Sequence, residues 1–221
     1  MIDFILDILQ KLFRIKEPHK TFLKRSVPGK LNFTFCFGGM AFTAFLLSVM
    51  TGLLLAVYYV PSEKEAYQSI AAIHNEVWGG WLIRSVHKWS ANLLIILIIL
   101  HTIRVLAYRA YRPPREVNWI AGVLAFITVM ASGFTGYLLP WDQKAYWATN
   151  VGTGIAGQVP WLGPIIQKIL VGGSTIGALT LVRFFTFHVA IVPPLIIALA
   201  GIHIFMVVKQ GISAPPGKIK E

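Results

Sequence analysis

The stretch from Arg84 to Arg104, RSVHKWSANLLIILIILHTIR, sets two histidines, His87 and His101, fourteen positions apart inside an otherwise apolar run. An arginine stands three positions outside each of them, Arg84 before His87 and Arg104 after His101. The run is long enough to cross a bilayer as a helix, which takes about 20 residues. An imidazole left unpaired in hydrocarbon is costly. Whatever satisfies these two rings therefore decides what the segment is built around.

The rest of the chain repeats the arrangement. Its 221 residues are 56% hydrophobic and 13% charged, against about a quarter charged in soluble domains, which marks an integral membrane protein. Four apolar segments have spanning length: 33–59, 81–107, 119–139 and 181–208. The fourth carries His188 and His203, fifteen apart. At about 100° per residue, fourteen steps fall about 40° short of four turns and fifteen overshoot by about 60°, so each pair stays near one helix face. Ahead of the spans, residues 1–32 begin with MIDFILDILQKLFRIK, whose apolar and charged positions separate at helical period. That pattern predicts an amphipathic helix lying on the membrane surface rather than a cleavable signal peptide. The domain organisation expected is a surface segment over 1–32, a four-helix unit over 33–213 and a short tail over 214–221.

Basic residues orient the spans. Of 20 Lys and Arg, 14 lie before span one, from the last turn of span two (Arg104) to the start of span three, or after span four. The positive-inside rule puts these regions, and both termini, on the cytoplasmic-type, electrically negative side. The net charge of +11 is thus mostly a topological signal, and no nucleic-acid partner is expected. The lone Cys36 excludes an internal disulfide and any all-cysteine cluster. The run GTGIAG (152–157) has dinucleotide-fingerprint spacing but follows a membrane span instead of a strand, and is expected to be a loop.

Spans two and four run in the same direction, so His87 sits at the depth of His188 and His101 at the depth of His203. One histidine alone in a span reads as a hydrogen-bonding residue between helices. Two cross-helix pairs, about 21 Å apart by helical rise, read as two bis-histidine hemes stacked along the membrane normal. Axial ligation satisfies the imidazoles and leaves iron without an open position, as suits electron transfer. Zinc does not fit two nitrogens with no further ligand nearby. Glycines recur at the same spacing: Gly38 and Gly52 in span one, Gly122 and Gly136 in span three. Each removes a side chain where a flat macrocycle presses on a helix, although close helix packing alone also uses glycine. By depth, Gly38 and Gly122 join His101 and His203, while Gly52 and Gly136 join His87 and His188. Arg84 and Arg104 are placed to neutralise heme propionates, or to snorkel to the interface.

Taken together with FCFGG, GWLIRSVHKWSA, HTIRV, PPRE, GFTGYLLPWDQ, LVRFFTFH and the terminal KQGIS, the chain resembles cytochrome b, and closely the short four-helix cytochrome b6 type of quinol–cytochrome c or plastocyanin oxidoreductases. The resemblance covers about Phe35 to Ser213. It implies an all-α membrane bundle of four helices enclosing two b hemes. It also implies a subunit that passes electrons across the membrane in a proton-motive Q cycle. Quinol is then oxidised on the positive side, with one electron leaving to a Rieske iron–sulfur protein and a c-type cytochrome. The other crosses from the His87/His188 level to the His101/His203 level, where quinone is reduced. Moving one charge costs about 2.3 kcal/mol per 100 mV of membrane potential. Tyr137, Trp141 and Asp142 fall where the family builds its quinol-oxidation pocket; interfacial aromatic anchoring is the plainer reading of the two rings. Cys36 matches the cysteine that, in the b6 type, carries a third heme through one thioether bond. Where the family ends Arg-Lys-Gln-Gly, this chain reads Val208-Lys209-Gln210-Gly211, leaving Lys209 as the basic partner for that heme. The family's Pro-Glu-Trp-Tyr segment is absent from the 221 residues. Its place in the family implies a small subunit-IV-like membrane partner, in a homodimeric complex of the bacterial cytoplasmic membrane or the thylakoid. The alternative is a heme b membrane anchor of a hydrogenase or formate dehydrogenase, which shares diheme helices but should lack PWDQ and the glycine pairs.

Overall fold

A computed structural model of the chain describes residues 33–213; the segments over 1–32 and 214–221, including the expected amphipathic helix, lie outside the described residues. Among the described residues all regular structure is helical. A 3-10 turn, Phe33–Cys36, leads into α1 (Phe37–Ala56). There follow α2 (Ala66–Asn75), α3 (Gly80–Ala107), α4 (Glu116–Leu138), α5 (Gln143–Gly157), α6 (Gly163–Val171) and α7 (Ala178–Thr186). A π-helical turn, Phe187–Ile191, joins α7 to α8 (Val192–Gln210). Four helical stretches are long and apolar enough to cross a membrane: Phe33–Ala56, Gly80–Ala107, Glu116–Tyr137 and Ala178–Gln210. Each bound lies within three residues of the one expected from the sequence. In a bilayer the backbone must satisfy its own polar groups, which a continuous helix does.

The four spans form two pairs, α1 along α3 and α4 along α8, while the histidine-bearing helices α3 and α8 make little direct contact. Between the two histidine levels the pairs close over an apolar plug of Ala44, Phe45, Leu94, Leu97, Val129 and Ile196. These residues sit about midway between the histidines or glycines of their own helices, so the plug separates the two levels. A second cluster, with Ala66, Leu138, Leu181 and Phe184 buried, closes the end where α1 finishes and α3 begins, with Tyr59, Leu139 and Trp141 packed on it. Large apolar side chains such as Met50, Leu53, Ile96 and Ile127 stay exposed along the spans, the pattern of helices that face lipid or other subunits.

Two features differ from the sequence expectation. The GTGIAG run is not a loop but the last turns of α5. A Cβ at Gly152 would run into the Phe134 ring, and one at Gly157 would meet the Gln167 side chain at 2.6 Å. These glycines let α5 lie close to α4 and α6 instead of making a turn. The fifteen-residue spacing between His188 and His203 also produces no overshoot. The Val192 N–H donates to the Phe187 carbonyl, five residues back, so the π turn absorbs one residue. Pro193 and Pro194 follow and supply no N–H, leaving the Val189 and Ala190 carbonyls without α-type donors; that frees the backbone to widen here. Fifteen residues then place two histidines as fourteen do on α3.

Candidate functional site

The four histidines meet as expected in two cross-helix pairs. The ring centroids of His87 and His188 lie 6.2 Å apart with planes at 85°. Those of His101 and His203 lie 6.2 Å apart at 81°. Two imidazoles sharing one metal, each bonded at about 2 Å with roughly 1 Å more to its ring centre, stand about 6 Å apart between centroids. Both pairs therefore have the spacing of axial ligands on a single iron. No cluster of three or more His, Cys, Asp or Glu occurs among the described residues, which leaves the pairs as two-nitrogen sites.

Each histidine rests on one of the four glycines. The atoms nearest a Cβ built at Gly38 belong to His101, at 3.0 Å; at Gly52 to His87, at 3.0 Å; at Gly122 to His203, at 3.1 Å; and at Gly136 to His188, at 2.6 Å. The structure thus brings Gly38 and Gly122 against the His101–His203 pair, and Gly52 and Gly136 against the His87–His188 pair. The close neighbour of each glycine is the Cε1–Nδ1 edge of the imidazole, so an added methyl would push the ring itself.

That edge is also where tautomers are set. His87 Nδ1 donates to the Ser48 carbonyl (3.0 Å), His188 Nδ1 to the Ser132 carbonyl (3.0 Å) and His203 Nδ1 to the Asn118 carbonyl (3.0 Å). Each carbonyl belongs to the residue four before the facing glycine. A carbonyl only accepts, so Nδ1 carries the proton and Nε2 keeps its lone pair for a metal, the usual arrangement of a ligating histidine. The Thr51 hydroxyl lies 3.1 Å from His87 Nδ1, and the Thr135 hydroxyl 3.4 Å from His188 Nδ1. These threonines were missed by sequence reasoning. Their signal was the repeated Ser-x-x-Thr-Gly of 48–52 and 132–136.

An apolar cavity of about 450 Å³ opens at the His101–His203 level, lined among others by Phe35, Gly38, His101, Arg104, Gly122 and His203. The Arg104 guanidinium stacks 3.8 Å over the Phe35 ring. Its Nε and Nη2 are buried without a hydrogen-bond partner among the described residues. A buried guanidinium edge with free donors fits a carboxylate such as a heme propionate. Arg115 lines the same cavity and is committed elsewhere: Nη1 donates to the Gly211 carbonyl at 2.7 Å, while Gln210 Nε2 returns a bond to the Pro114 carbonyl at 2.8 Å. Arg84 is exposed, and Lys209 lies 5.6 Å over the Phe205 ring. Cys36 is exposed at the head of α1.

At the opposite end, Tyr137 is exposed beside Gly136, and Trp141 holds a left-handed backbone (φ 52°) packed on the second core. The Asp142 carboxylate accepts from the Ala145 N–H at 2.8 Å and caps α5, a structural task the sequence reading did not assign. The Tyr59 hydroxyl donates to the Leu139 carbonyl at 2.8 Å, tying the end of α1 to this loop. Burial pushes the Tyr59 phenol well above its ordinary range.

Residues 22–211 match the family described as Cytochrome b/b6/petB. This chain belongs to the cytochrome b family. Among curated relatives it is 47% identical to the menaquinol:cytochrome c reductase cytochrome b subunit of Geobacillus thermodenitrificans, over 97% of this chain and 100% of the relative. It is 39% identical to cytochrome b6 of Mastigocladus laminosus, over 96% and 98%. A solved chain of a hyperthermophilic respiratory Complex III superimposes with a TM-score of 0.83 at 32% identity. All of this chain is covered, and it spans 59% of that one. Membership of the cytochrome b family implies heme b, and the paired imidazoles, the glycine beds and the unpartnered Arg104 donors fit it.

Proposed function

We propose that the chain is the diheme cytochrome b subunit of a quinol:cytochrome c oxidoreductase, carrying electrons across the membrane as one part of a proton-motive complex. The observation that carries this reading is the pair of 6.2 Å histidine contacts, each bedded on two glycines. The names of the relatives support it. Heme held by two axial imidazoles supplies one-electron reduction and oxidation with no site for exogenous ligands. His87 and His188 hold one heme, and His101 and His203 the other. The Ser48, Ser132 and Asn118 carbonyls fix the tautomers of three of these rings, and the unpartnered Arg104 donors would take a propionate. The apolar plug between the levels keeps water and competing polar groups off the path between them.

The distribution of basic residues favours the His87–His188 level toward the positive side and both termini on the negative side, and the membrane proposed is a bacterial cytoplasmic one, with the thylakoid as the alternative. Tyr137 and Trp141 then belong to one wall of a quinol-oxidation pocket whose proton-accepting wall is supplied by a small Pro-Glu-Trp-Tyr subunit. A Rieske protein and a c-type cytochrome complete the complex. Cys36 carries a third, covalently bound heme. Residues three apart share a helix face, and Gly39, three residues on, has open space where a Cβ would point.

Two experiments test these readings. A reduced-minus-oxidised spectrum should show two b-type α-bands, with His87→Ala and His188→Ala removing one and His101→Ala and His203→Ala the other. Loss of the same band from His87→Ala and His101→Ala would break the pairing. For Cys36, acid–acetone extraction should leave heme on a 24.6 kDa chain in wild type and none in Cys36→Ala; a wild-type chain stripped of all heme returns Cys36 to a plain apolar role.

A further inference from the structure

The two histidine levels differ in one respect that the heme reading above does not use. At the His87–His188 level each Nδ1–H faces two acceptors, a backbone carbonyl and a threonine hydroxyl. The Thr51 hydroxyl donates its own proton to the Leu47 carbonyl at 2.6 Å, and the Thr135 hydroxyl to the Ala131 carbonyl at 2.9 Å. With that proton spent, an oxygen lone pair is left toward the imidazole, at 3.1 Å for His87 and 3.4 Å for His188. At the other level the residue before each glycine is Phe37 or Ala121, and neither offers a hydroxyl. There His203 Nδ1 has the Asn118 carbonyl, and His101 Nδ1 is buried without any hydrogen-bond partner among the described residues. Among the described residues, one level therefore carries four acceptors at its two Nδ1 atoms and the other carries one.

An N–H that donates strongly makes the opposite ring nitrogen more electron-rich and raises its basicity as a ligand. A more basic axial ligand favours the oxidised, more positive iron, so hydrogen bonding at Nδ1 is a lever on reduction potential. We propose that Thr51 and Thr135 are positioning residues that act through His87 and His188 to hold down the reduction potential of the heme at that level, with the bare Nδ1 of His101 as the opposite setting. The inference rests on the diheme reading above and goes beyond it by assigning potential control to two hydroxyls. The geometry repeats on two helices of different pairs, in the same Ser-x-x-Thr-Gly frame, so one chance rotamer does not account for it.

The test is optical spectroelectrochemistry on the purified complex, comparing wild type with Thr51→Val, Thr135→Val and Thr51→Ser. Valine keeps the branched shape and removes the acceptor; serine restores it. The midpoint potential of the His87–His188 species should move upward in both valine variants, further for Thr51→Val with its shorter contact. The His101–His203 species should stay in place, and Thr51→Ser should return the potential toward wild type. If Thr51→Val fails to retain heme, Thr135→Val carries the same comparison. Valine variants with two intact b-type species and no shift overturn the proposal while leaving the diheme reading standing, as does an equal shift of both species. Wild-type protein without two b-type species overturns both.

Discussion

At the scale of single residues, the site is a set of contacts in which one methyl matters. Gly136 is the tightest of the four glycine beds, and the nearest atom to an added Cβ is a ring carbon of His188, itself held by the Ser132 carbonyl. Neither side yields without breaking the tautomer bond, and forcing extra volume into such a place costs about 1–3 kcal/mol. Gly136→Ala should therefore lose or broaden the His87–His188 α-band while sparing the other. Gly201→Ala in the same bundle, with nothing within 4 Å, should leave both bands and the melting temperature unchanged or slightly raised, since alanine is the better helix former. Equal spectra for the two variants would show that the glycines answer to helix packing alone. Sequence spacing located these glycines and their levels, because a period of fourteen is visible in letters. It did not show that the imidazole edge is what they touch, because rotamers and hydrogen-bond partners leave no periodic trace.

At the scale of elements, the sequence reading was most complete where helices are long and apolar and least complete in the connections. The four spans were legible within three residues because hydropathy alone sets them. The helical state of GTGIAG was not, because its glycines are explained by Phe134 and Gln167, neighbours distant in sequence. The π turn was hidden for a related reason: fifteen residues and a Pro-Pro pair are visible, but only the Val192-to-Phe187 bond shows where the extra residue goes. Removing that residue should be tolerated. Deletion of Ala190, exposed within the π turn, shortens fifteen to fourteen and returns the segment to α periodicity, so both heme bands should persist. Deletion of Ile96, exposed midway along α3, has no such reserve and rotates His101 by about 100°; its band should vanish. Optical spectra of the two deletions decide the point, and loss of a band in the Ala190 deletion would assign the π turn some other role. The Arg115–Gly211 and Gln210–Pro114 bonds clasp the end of α8 to the start of α4. Hydrogen bonds to a charged group contribute about 1.5–3 kcal/mol, so Arg115→Ala should lower thermal stability measurably and disturb the His101–His203 band before the other.

At the scale of the whole molecule, cofactor retention and catalysis should separate. All four imidazoles, all four glycine beds and the Arg104 donors belong to this one chain, and the plug that divides the two levels is drawn from all four spans. Nothing in either histidine pair requires a second subunit, so the chain expressed alone in membranes should bind heme at both levels. The end proposed for quinol oxidation is different. Trp141 is fixed by the second core and Asp142 is spent on capping α5, which leaves no carboxylate of that loop free to take a quinol proton. Broad apolar faces of the spans are uncovered as well, with Met50, Leu53, Ile96 and Ile127 exposed along them. The isolated chain should therefore show two b-type α-bands on chemical reduction and negligible quinol oxidation with a soluble acceptor. Co-expression with the proposed small membrane subunit and a Rieske protein should restore turnover without adding a b-type band. Full quinol oxidation by the single chain would mean that this sequence contains its own proton acceptor, and Asp142 would then have to leave its cap to serve.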